Sequence, residues 1–340
     1  MRRGLTKERV LMTAGFVLSA ILAFYFLRRI DLSELGPTLA SVNLWILSCC
    51  LLTKGTVFSL GALRSKVFLR PLRRYSFAEC FTPAVAGYVT NNIFPFRLGE
   101  LVRIDLLARA GDISRGSTVA VVALERLLDL ISFLILFAAV VPLLAIDVSG
   151  DSRLAWALAA IIGTLLGVVW LVANPSRLPG IVVFFSRPLS PRVQAWVYQK
   201  SQRFVDGFSA LRSSRAVAQA FALTFVTRLV GMLTIQCWLW AFGLDLPPYA
   251  PLIVTVFLSI GTMIPSSPGF IGTFHVAVAY GLELMGVDAG MAASVAIAGH
   301  FMATVPWTVI GLFVSLPAIR SVWKRGPGAS QHVEGVFGAQ

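Results

Sequence analysis

The sequence predicts an all-α, polytopic integral membrane protein, and composition, the length of its apolar segments and the placement of helix breaks support that prediction. Of the 340 residues, 57% are hydrophobic and 13% are charged, and the mean hydropathy is +0.80. A water-soluble domain of this length could not cover so much apolar surface with so few charges. Because a bilayer offers no partners to backbone polar groups, its apolar segments of about 20 residues should cross as helices.

Six segments are apolar enough to be complete spans, and two further apolar regions are interrupted. The spans are 10–27, 44–63, 118–141, 154–173, 217–242 and 291–316. The interrupted regions are 77–96 and 250–285. We expect six transmembrane helices plus two broken or re-entrant elements, or eight transmembrane helices if the second element crosses fully.

Lysine and arginine predict the orientation. The net charge is +13, and basic residues follow the second, fourth and last spans, beginning at Arg64 after the second, whereas the loops at 146–153 and 243–249 hold mostly acidic or neutral residues. This bias places both termini in the cytoplasm, although Arg28 and Arg29 run against it. The basic residues form no aromatic-interleaved patch, so we expect no nucleic-acid partner.

The chain reads as one transmembrane domain, residues 1–320, followed by a flexible cytoplasmic tail, 321–340. The first span is too long for a signal-peptide core and should be retained. Residues 179–215 form the longest segment outside the membrane. Within it, 193–211 has the pattern of an amphipathic helix lying on cytoplasmic headgroups, and a solvated linker helix fits equally well.

The first broken region contains a polar motif at 91–103 that reads NNIFPFRLGELVR. Pro95 predicts that one helix ends at Phe94 and that another begins near Leu98. The side chains of Asn91 and Asn92 can cap the carbonyl groups of the first helix or offer amide groups to a ligand.

Charged residues follow in this motif and in the third span. Arg97, Glu100 and Arg103 should form one ridge, on which both arginines neighbour Glu100. An arginine fork suits a phosphate, and ordinary interfacial salt bridges are the alternative. The third span adds Glu125, Arg126 and Asp129. Charges inside a membrane helix must face protein, water or each other, so we expect these carboxylates to hold Arg97 or Arg103 in place.

The second broken region, 264–275, reads IPSSPGFIGTFH. Its candidate site residues are Pro265, Gly269, Gly272, Thr273 and His275. Thr273 should be the N-cap of a helix whose positive dipole end points into the membrane and accepts an anionic group. His275, in the first turn of that helix, can titrate or donate to a phosphate.

Helix breaks at matching places in two halves of a membrane protein point to a transport site near the bilayer midplane. The two broken elements should enter from opposite faces, which is the arrangement of an inverted repeat. Lys54, Arg228, Glu283 and His300 are further candidates, and Lys54 and Arg228 can instead snorkel. The sequence contains no Walker motif and no metal-ligand cluster, so we expect neither cofactor nor metal.

These motifs resemble those of the lysylphosphatidylglycerol synthase transmembrane-region family, also called the flippase-like domain family. The similar features, in order, are Asn91-Asn92 through Arg103, Glu125-Arg126 with Asp129, and Pro265 through Gly272. The resemblance covers about 11–316 and implies lipid translocation between leaflets. The sequence lacks the aminoacyl-transferase domain of bifunctional members, and it has His275 where many members have glutamate. The headgroup therefore need not be lysylated.

We therefore expect a flippase of the cytoplasmic membrane for an anionic phospholipid, a lipid-linked sugar or a polyprenyl phosphate. Arg97 and Arg103 would hold phosphate, and Glu100, Glu125 and Asp129 would position them. Two alternatives stay open: a membrane-embedded lipid-modifying transferase, and an accessory subunit of a glycosyltransferase. Self-association as a homo-oligomer also stays open.

Overall fold

The computed structural model describes residues 40–94, 97–143, 174–186, 214–263 and 267–324, with isolated positions near 36, 163–170 and 190–198. All regular structure in these ranges is helical. The span predicted at 10–27, most of that at 154–173, most of the amphipathic segment and residues 325–340 lie outside the described residues.

Among the described residues, four α-helices are long and five are short. The long ones are α1 (Leu44–Leu69), α4 (Arg115–Leu143), α6 (Ser214–Ala241) and α9 (Ala289–Lys324). The short ones are α2 (Phe77–Ile93), α3 (Leu98–Gly111), α5 (Leu178–Ser186), α7 (Ala250–Met263) and α8 (Thr273–Glu283).

Within the described ranges, three helices are long and apolar enough to cross a membrane: α1, α6 and the part Ala289–Ala318 of α9. Large apolar side chains project outward from two of them, and Trp45 and Phe313 are 87% and 78% exposed. Such exposure would be costly in water and is expected against lipid. The prediction of an all-α integral membrane protein is confirmed at this level.

The first broken region is a hairpin of two antiparallel helices. Ser76 caps the start of α2, α2 ends at Ile93, and α3 begins at Leu98, on either side of the break predicted at Pro95. Gly87 and Gly99 lie opposite each other, and a Cβ on Gly99 would overlap the Gly87 carbonyl oxygen. Only glycine therefore permits this backbone contact.

The open end of this hairpin is closed by Tyr75, whose hydroxyl donates to the Leu107 carbonyl at 2.9 Å. Burial raises the pKa of Tyr75 to about 12, so the hydroxyl keeps its proton and remains a donor at neutral pH. The side chain also packs against Gly111, which leaves no room for a Cβ there.

The second broken region is also a hairpin, made of α7 and α8. A Cβ on Gly261 would lie 2.6 Å from the Cβ of Ala277, and Gly281 faces Phe257. The 14 residues of α7 and the 11 of α8 extend about 21 and 16 Å. Each helix alone is shorter than the roughly 30 Å of a bilayer core.

The closed ends, or tips, of the two hairpins meet. Gly269 in the second tip lies against the backbone carbonyl oxygen of Asn92, and the guanidinium of Arg97 lies over the Phe270 ring at 5.6 Å from its centroid. α9 supports this junction, because the Asn92 side-chain amide donates to the Thr308 hydroxyl at 2.8 Å.

Two helices run further than the sequence predicts. α1 continues to Leu69, so Arg64 is not the first residue of a basic loop but a buried residue of the helix. Its charge is compensated by carboxylates of α4, which allows the helix to continue. α9 continues to Lys324, past residue 320, where the sequence predicts that the tail begins.

Candidate functional site

A cavity of 590 Å³ lies between α1, α2, α3, α4, α6 and α7. Its charged lining comprises five arginines and two carboxylates: Arg64, Arg97, Arg103, Arg126, Arg228, Glu100 and Asp129. These residues come from four separate parts of the chain, namely α1, the segment 97–103, α4 and α6, so the fold concentrates them. An excess of positive charge at such a depth is expected to bind anions.

Glu125 does not line the cavity, but it contacts the arginines that do, and it is 0% exposed. One of its carboxylate oxygens accepts from the Ser65 hydroxyl at 2.7 Å. The other accepts from Nη2 of Arg103 at 2.5 Å and lies 3.8 Å from Nη2 of Arg64. A buried carboxylate is tolerated only with such partners, so Glu125 and the two arginines form one unit.

Asp129, one turn along α4, shares Arg64 with Glu125 and contacts two further arginines. It accepts from Arg64 at 2.7 Å and from Arg126 at 3.1 Å, and Arg228 lies 3.8 Å away. Glu100 accepts from the other terminal nitrogen of Arg126 at 2.9 Å. Each carboxylate thus fixes the direction of at least one guanidinium, which orients these groups before a ligand arrives.

The ridge predicted for Arg97, Glu100 and Arg103 forms only in part, because Glu100 and Arg103 lie one turn apart in α3 and Arg97 lies outside the helix. Arg97 is the residue before α3 and has a left-handed backbone, with φ of 53°. This conformation turns it out of the helix, where its side chain meets Phe270. Glu100 pairs with Arg126, and Arg103 pairs with Glu125.

The cavity retains hydrogen-bonding capacity that the described residues do not use. Arg97 forms no ion pair with a described carboxylate. The Nε atoms of Arg64 and Arg103 are buried and have no hydrogen-bond partner among the described residues. Buried donors are normally paired, so these groups point to a ligand or to water.

The two asparagines stabilise the first break. The side-chain oxygen of Asn91 accepts from the backbone N–H of Gly99 at 2.8 Å, so it caps the start of α3 and not the carbonyl end of α2 as predicted. Asn92 donates to Thr308 of α9 instead of capping α2. Both contacts hold the tip of the hairpin in place.

The second break depends on two glycines with left-handed backbones, Gly269 at φ 65° and Gly272 at φ 93°. The N-cap of α8 is Gly272 rather than Thr273, and the helix begins at Thr273, one position earlier than predicted. The Thr273 hydroxyl donates back to the Phe270 carbonyl at 3.2 Å. Pro265 lies outside the described residues.

A chain of two histidines closes this break. Nδ1 of His275 accepts from the Gly272 N–H at 3.3 Å, Nε2 of His275 lies 3.1 Å from Nδ1 of His300, and Nε2 of His300 lies 2.8 Å from the Gly269 carbonyl oxygen. An N–H begins the chain and a carbonyl ends it. Every atom in this chain then has a matching donor or acceptor if both rings are neutral and carry their proton on Nε2.

A second cavity of 310 Å³ adjoins the first and shares Val57, Tyr88, Thr227, Arg228, Ser259 and Thr262 with it. The shared lining places the two cavities side by side. Lys54 and His300 line only the second. Among the described residues, no group of three or more histidines, cysteines, aspartates or glutamates is placed to hold a metal.

The structure therefore separates the predicted site residues into two groups. The first cavity brings together Asn91, Arg97, Glu100, Arg103, Arg126 and Asp129, with Glu125 beneath. Asn92 and Gly269 line the second cavity, and Gly272, Thr273 and His275 line neither cavity. Sequence reasoning missed Arg64 and Ser65, although the apolar residues 67–69 that follow them are a sign that the helix continues.

Comparison with known proteins agrees with this architecture. Residues 12–311 match the family described as Lysylphosphatidylglycerol synthase TM region. The Glycosyltransferase AglD of Haloferax volcanii is 26% identical across 79% of this chain and 48% of its own length, so this chain spans about half of that relative. Because the family match covers most of its residues, the chain belongs to the lysylphosphatidylglycerol synthase transmembrane-region family.

Proposed function

We propose that this chain is a flippase that moves an anionic lipid headgroup, of a phospholipid or of a lipid-linked sugar phosphate, between the leaflets of the cytoplasmic membrane. The observation that carries the proposal is the excess of arginine around the first cavity. Five lining arginines face two lining carboxylates and Glu125, so two positive charges are left without a carboxylate to match them. Uncompensated positive charge inside a membrane protein is costly without an anionic ligand.

Arg97 would make the first contact with the headgroup. It lies at the meeting of the hairpin tips, it has no ion pair with a described carboxylate, and its fork can hold two phosphate oxygens. Arg64 and Arg103 would each add an Nε donor that the described residues leave unused. The acyl or polyprenyl chains would stay in lipid outside the cavity.

The two hairpins would provide access from both sides of the membrane. Their short helices support a re-entrant arrangement, in which one hairpin enters from each face and the tips meet near the midplane. In this arrangement both termini are cytoplasmic, and six to eight helices cross, including those predicted outside the described residues.

Transport fits the charge pattern better than catalysis does. Glu100, Glu125 and Asp129 each accept from at least one arginine. Carboxylates held in ion pairs of this kind position the guanidinium groups around the cavity. Their arrangement supports binding and orientation of an anion rather than proton transfer to it.

A second candidate function follows from the relative named as a glycosyltransferase. The chain would then be a membrane partner that presents a lipid-linked substrate to a glycosyltransferase. In that case the purified chain would bind the anionic lipid at Arg97 but would not exchange it between leaflets without the enzyme.

The test is leaflet exchange in liposomes. Purified protein is reconstituted with fluorescent phosphatidylglycerol, and the accessible label is quenched with dithionite while mass spectrometry follows the lipid. We expect exchange above that of protein-free vesicles, with the mass unchanged. Arg97→Ala should reduce the rate at least tenfold, the effect of about 1.4 kcal/mol, and Arg97→Lys should lose part of it.

Arg177→Ala is the matched control, because Arg177 is exposed in a short turn outside the cavity and should leave exchange unchanged. Wild-type exchange by Arg97→Ala would refute the phosphate contact. A covalently altered lipid without exchange would replace the flippase with a membrane transferase.

A further inference from the structure

Lys54 lies near the middle of α1, a helix long and apolar enough to cross a membrane. It is ten residues from the start of α1 at Leu44 and fifteen from its end at Leu69. These separations correspond to about 15 and 22 Å along the helix axis. A lysine in the middle of a membrane span faces a cavity or a partner group, because exposure of its charge to lipid is costly.

The surroundings of Lys54 provide aromatic faces and no carboxylate. Its Nζ lies 5.0 Å from the centroid of the Tyr88 ring and 5.6 Å from that of Phe58. No aspartate or glutamate occurs among the described residues that line the second cavity, whose cations are Lys54 and Arg228. The aromatic contacts orient the ammonium group but do not neutralise it.

α7 contributes hydroxyl oxygens to the lining of the same cavity. Thr255, Ser259 and Thr262 of α7 all line it. Each donates its own proton to a carbonyl one turn earlier, at 2.6, 2.7 and 2.8 Å. A hydroxyl whose proton is used in this way offers its lone pairs to a ligand, so this wall accepts hydrogen bonds.

We propose that the second cavity is a further anion-binding site, centred on Lys54, for an anionic group that carries hydroxyl donors, such as phosphoglycerol or a sugar phosphate. The ammonium of Lys54 binds the anion, and the α7 hydroxyls accept from the ligand's hydroxyls. A headgroup with an added amine is disfavoured, because no carboxylate faces it. The inference rests on the proposed function and gives it a second binding position.

The two sites are connected through shared residues. Arg228 lines both cavities, and Phe270 lines the second cavity while its ring lies against Arg97. An anion that leaves Arg97 therefore meets Arg228 and then Lys54 without leaving a cationic environment. Successive sites of moderate strength permit both entry and release, which one very tight site would prevent.

The test measures binding of short-chain lipids to the detergent-purified full chain by native mass spectrometry. The probes are phosphatidylglycerol, phosphatidylinositol, phosphatidylmethanol, which has the same charge without a hydroxyl, and the lysyl ester of phosphatidylglycerol. We expect the first two to bind more tightly than phosphatidylmethanol, and the lysyl ester to bind weakest. The stronger of the first two distinguishes a glycerol from a sugar headgroup.

Lys54→Gln should weaken binding of phosphatidylglycerol at least about tenfold, as expected for loss of one charge-assisted hydrogen bond. Lys54→Arg should restore most of it, and Lys54→Met provides a second neutral variant if Lys54→Gln does not fold. Lys66→Gln is the matched control, because Lys66 is an exposed residue of the same helix that lines neither cavity.

The outcomes separate this inference from the proposed function. Equal binding by Lys54→Gln and Lys66→Gln, or equal binding of phosphatidylmethanol and both hydroxylated lipids, overturns the inference even if leaflet exchange occurs. Binding that depends on Lys54, without any leaflet exchange, supports the second site and refutes the proposed flippase function. Absence of anionic-lipid binding to the wild-type chain refutes the second site.

Discussion

Removal of the Glu125 carboxylate is the most direct test of the buried charge network. Glu125→Leu leaves Arg103 and Arg64 without the carboxylate that lies 2.5 and 3.8 Å from them. Breaking a buried ion pair on one side costs about 3–5 kcal/mol, because the remaining charge stays buried. We expect a loss of that size in the free energy of unfolding, measured by SDS titration in mixed micelles.

The double variant Glu125→Leu, Arg103→Met makes the test specific. Removing both charges eliminates the stranded cation, so the double variant should be more stable than Glu125→Leu by about 2 kcal/mol or more. Arg64 keeps Asp129 as a partner in both variants. Asp112→Asn, at an exposed position with a left-handed backbone that asparagine tolerates, should change stability by less than about 0.5 kcal/mol.

Two results would contradict the reasoning. A loss of less than about 1 kcal/mol for Glu125→Leu would place the carboxylate in a solvated position rather than a buried one. A double variant no more stable than the single would mean that Arg103 and Glu125 do not interact.

Three further predictions concern the hairpins and the orientation. Gly99→Ala should prevent accumulation of folded protein, because the added Cβ overlaps the Gly87 carbonyl oxygen. Fluorescence-detected size exclusion measures this, and Gly116→Ala, where a Cβ has room, should be tolerated. His300→Leu should cost about 1–3 kcal/mol in SDS titration, since it strands the Gly269 carbonyl, and no loss would refute the histidine chain. A cysteine at position 70, in a chain without its native cysteines, should resist an impermeant thiol reagent in intact cells, and labelling would reverse the orientation.

Local chemistry made the breaks predictable. Proline restricts the residue before it, so Pro95 alone places a helix end near Phe94, and α2 ends at Ile93. The glycines of the second motif likewise indicate a turn, and two of them have left-handed backbones. These features depend on a few consecutive residues, which is why sequence reasoning can find them.

Pairings between distant residues were not predictable in the same way. The sequence indicates that a carboxylate of the third span should hold Arg97 or Arg103, and Arg103 does contact Glu125, but nothing local selects Arg64 as the partner of Asp129, 65 positions away. We expected Arg97 and Arg103 to flank Glu100 on one helix face. Arg97 does not do so, because its left-handed backbone turns it out of the helix. Arg64 was assigned to a loop because a charge after an apolar run usually marks a span's end.

The contact between Gly87 and Gly99 determines which parts of the molecule can move. With backbone touching backbone, α2 and α3 have no flexible side chains between them to absorb sliding, so this hairpin should move as a rigid body. The junction between the two tips is different, because a cation over a ring and a few hydrogen bonds can be exchanged at small cost. Under the proposed flippase function, alternating access would therefore be a rocking of one hairpin against the other about Phe270, rather than a bending within the first hairpin.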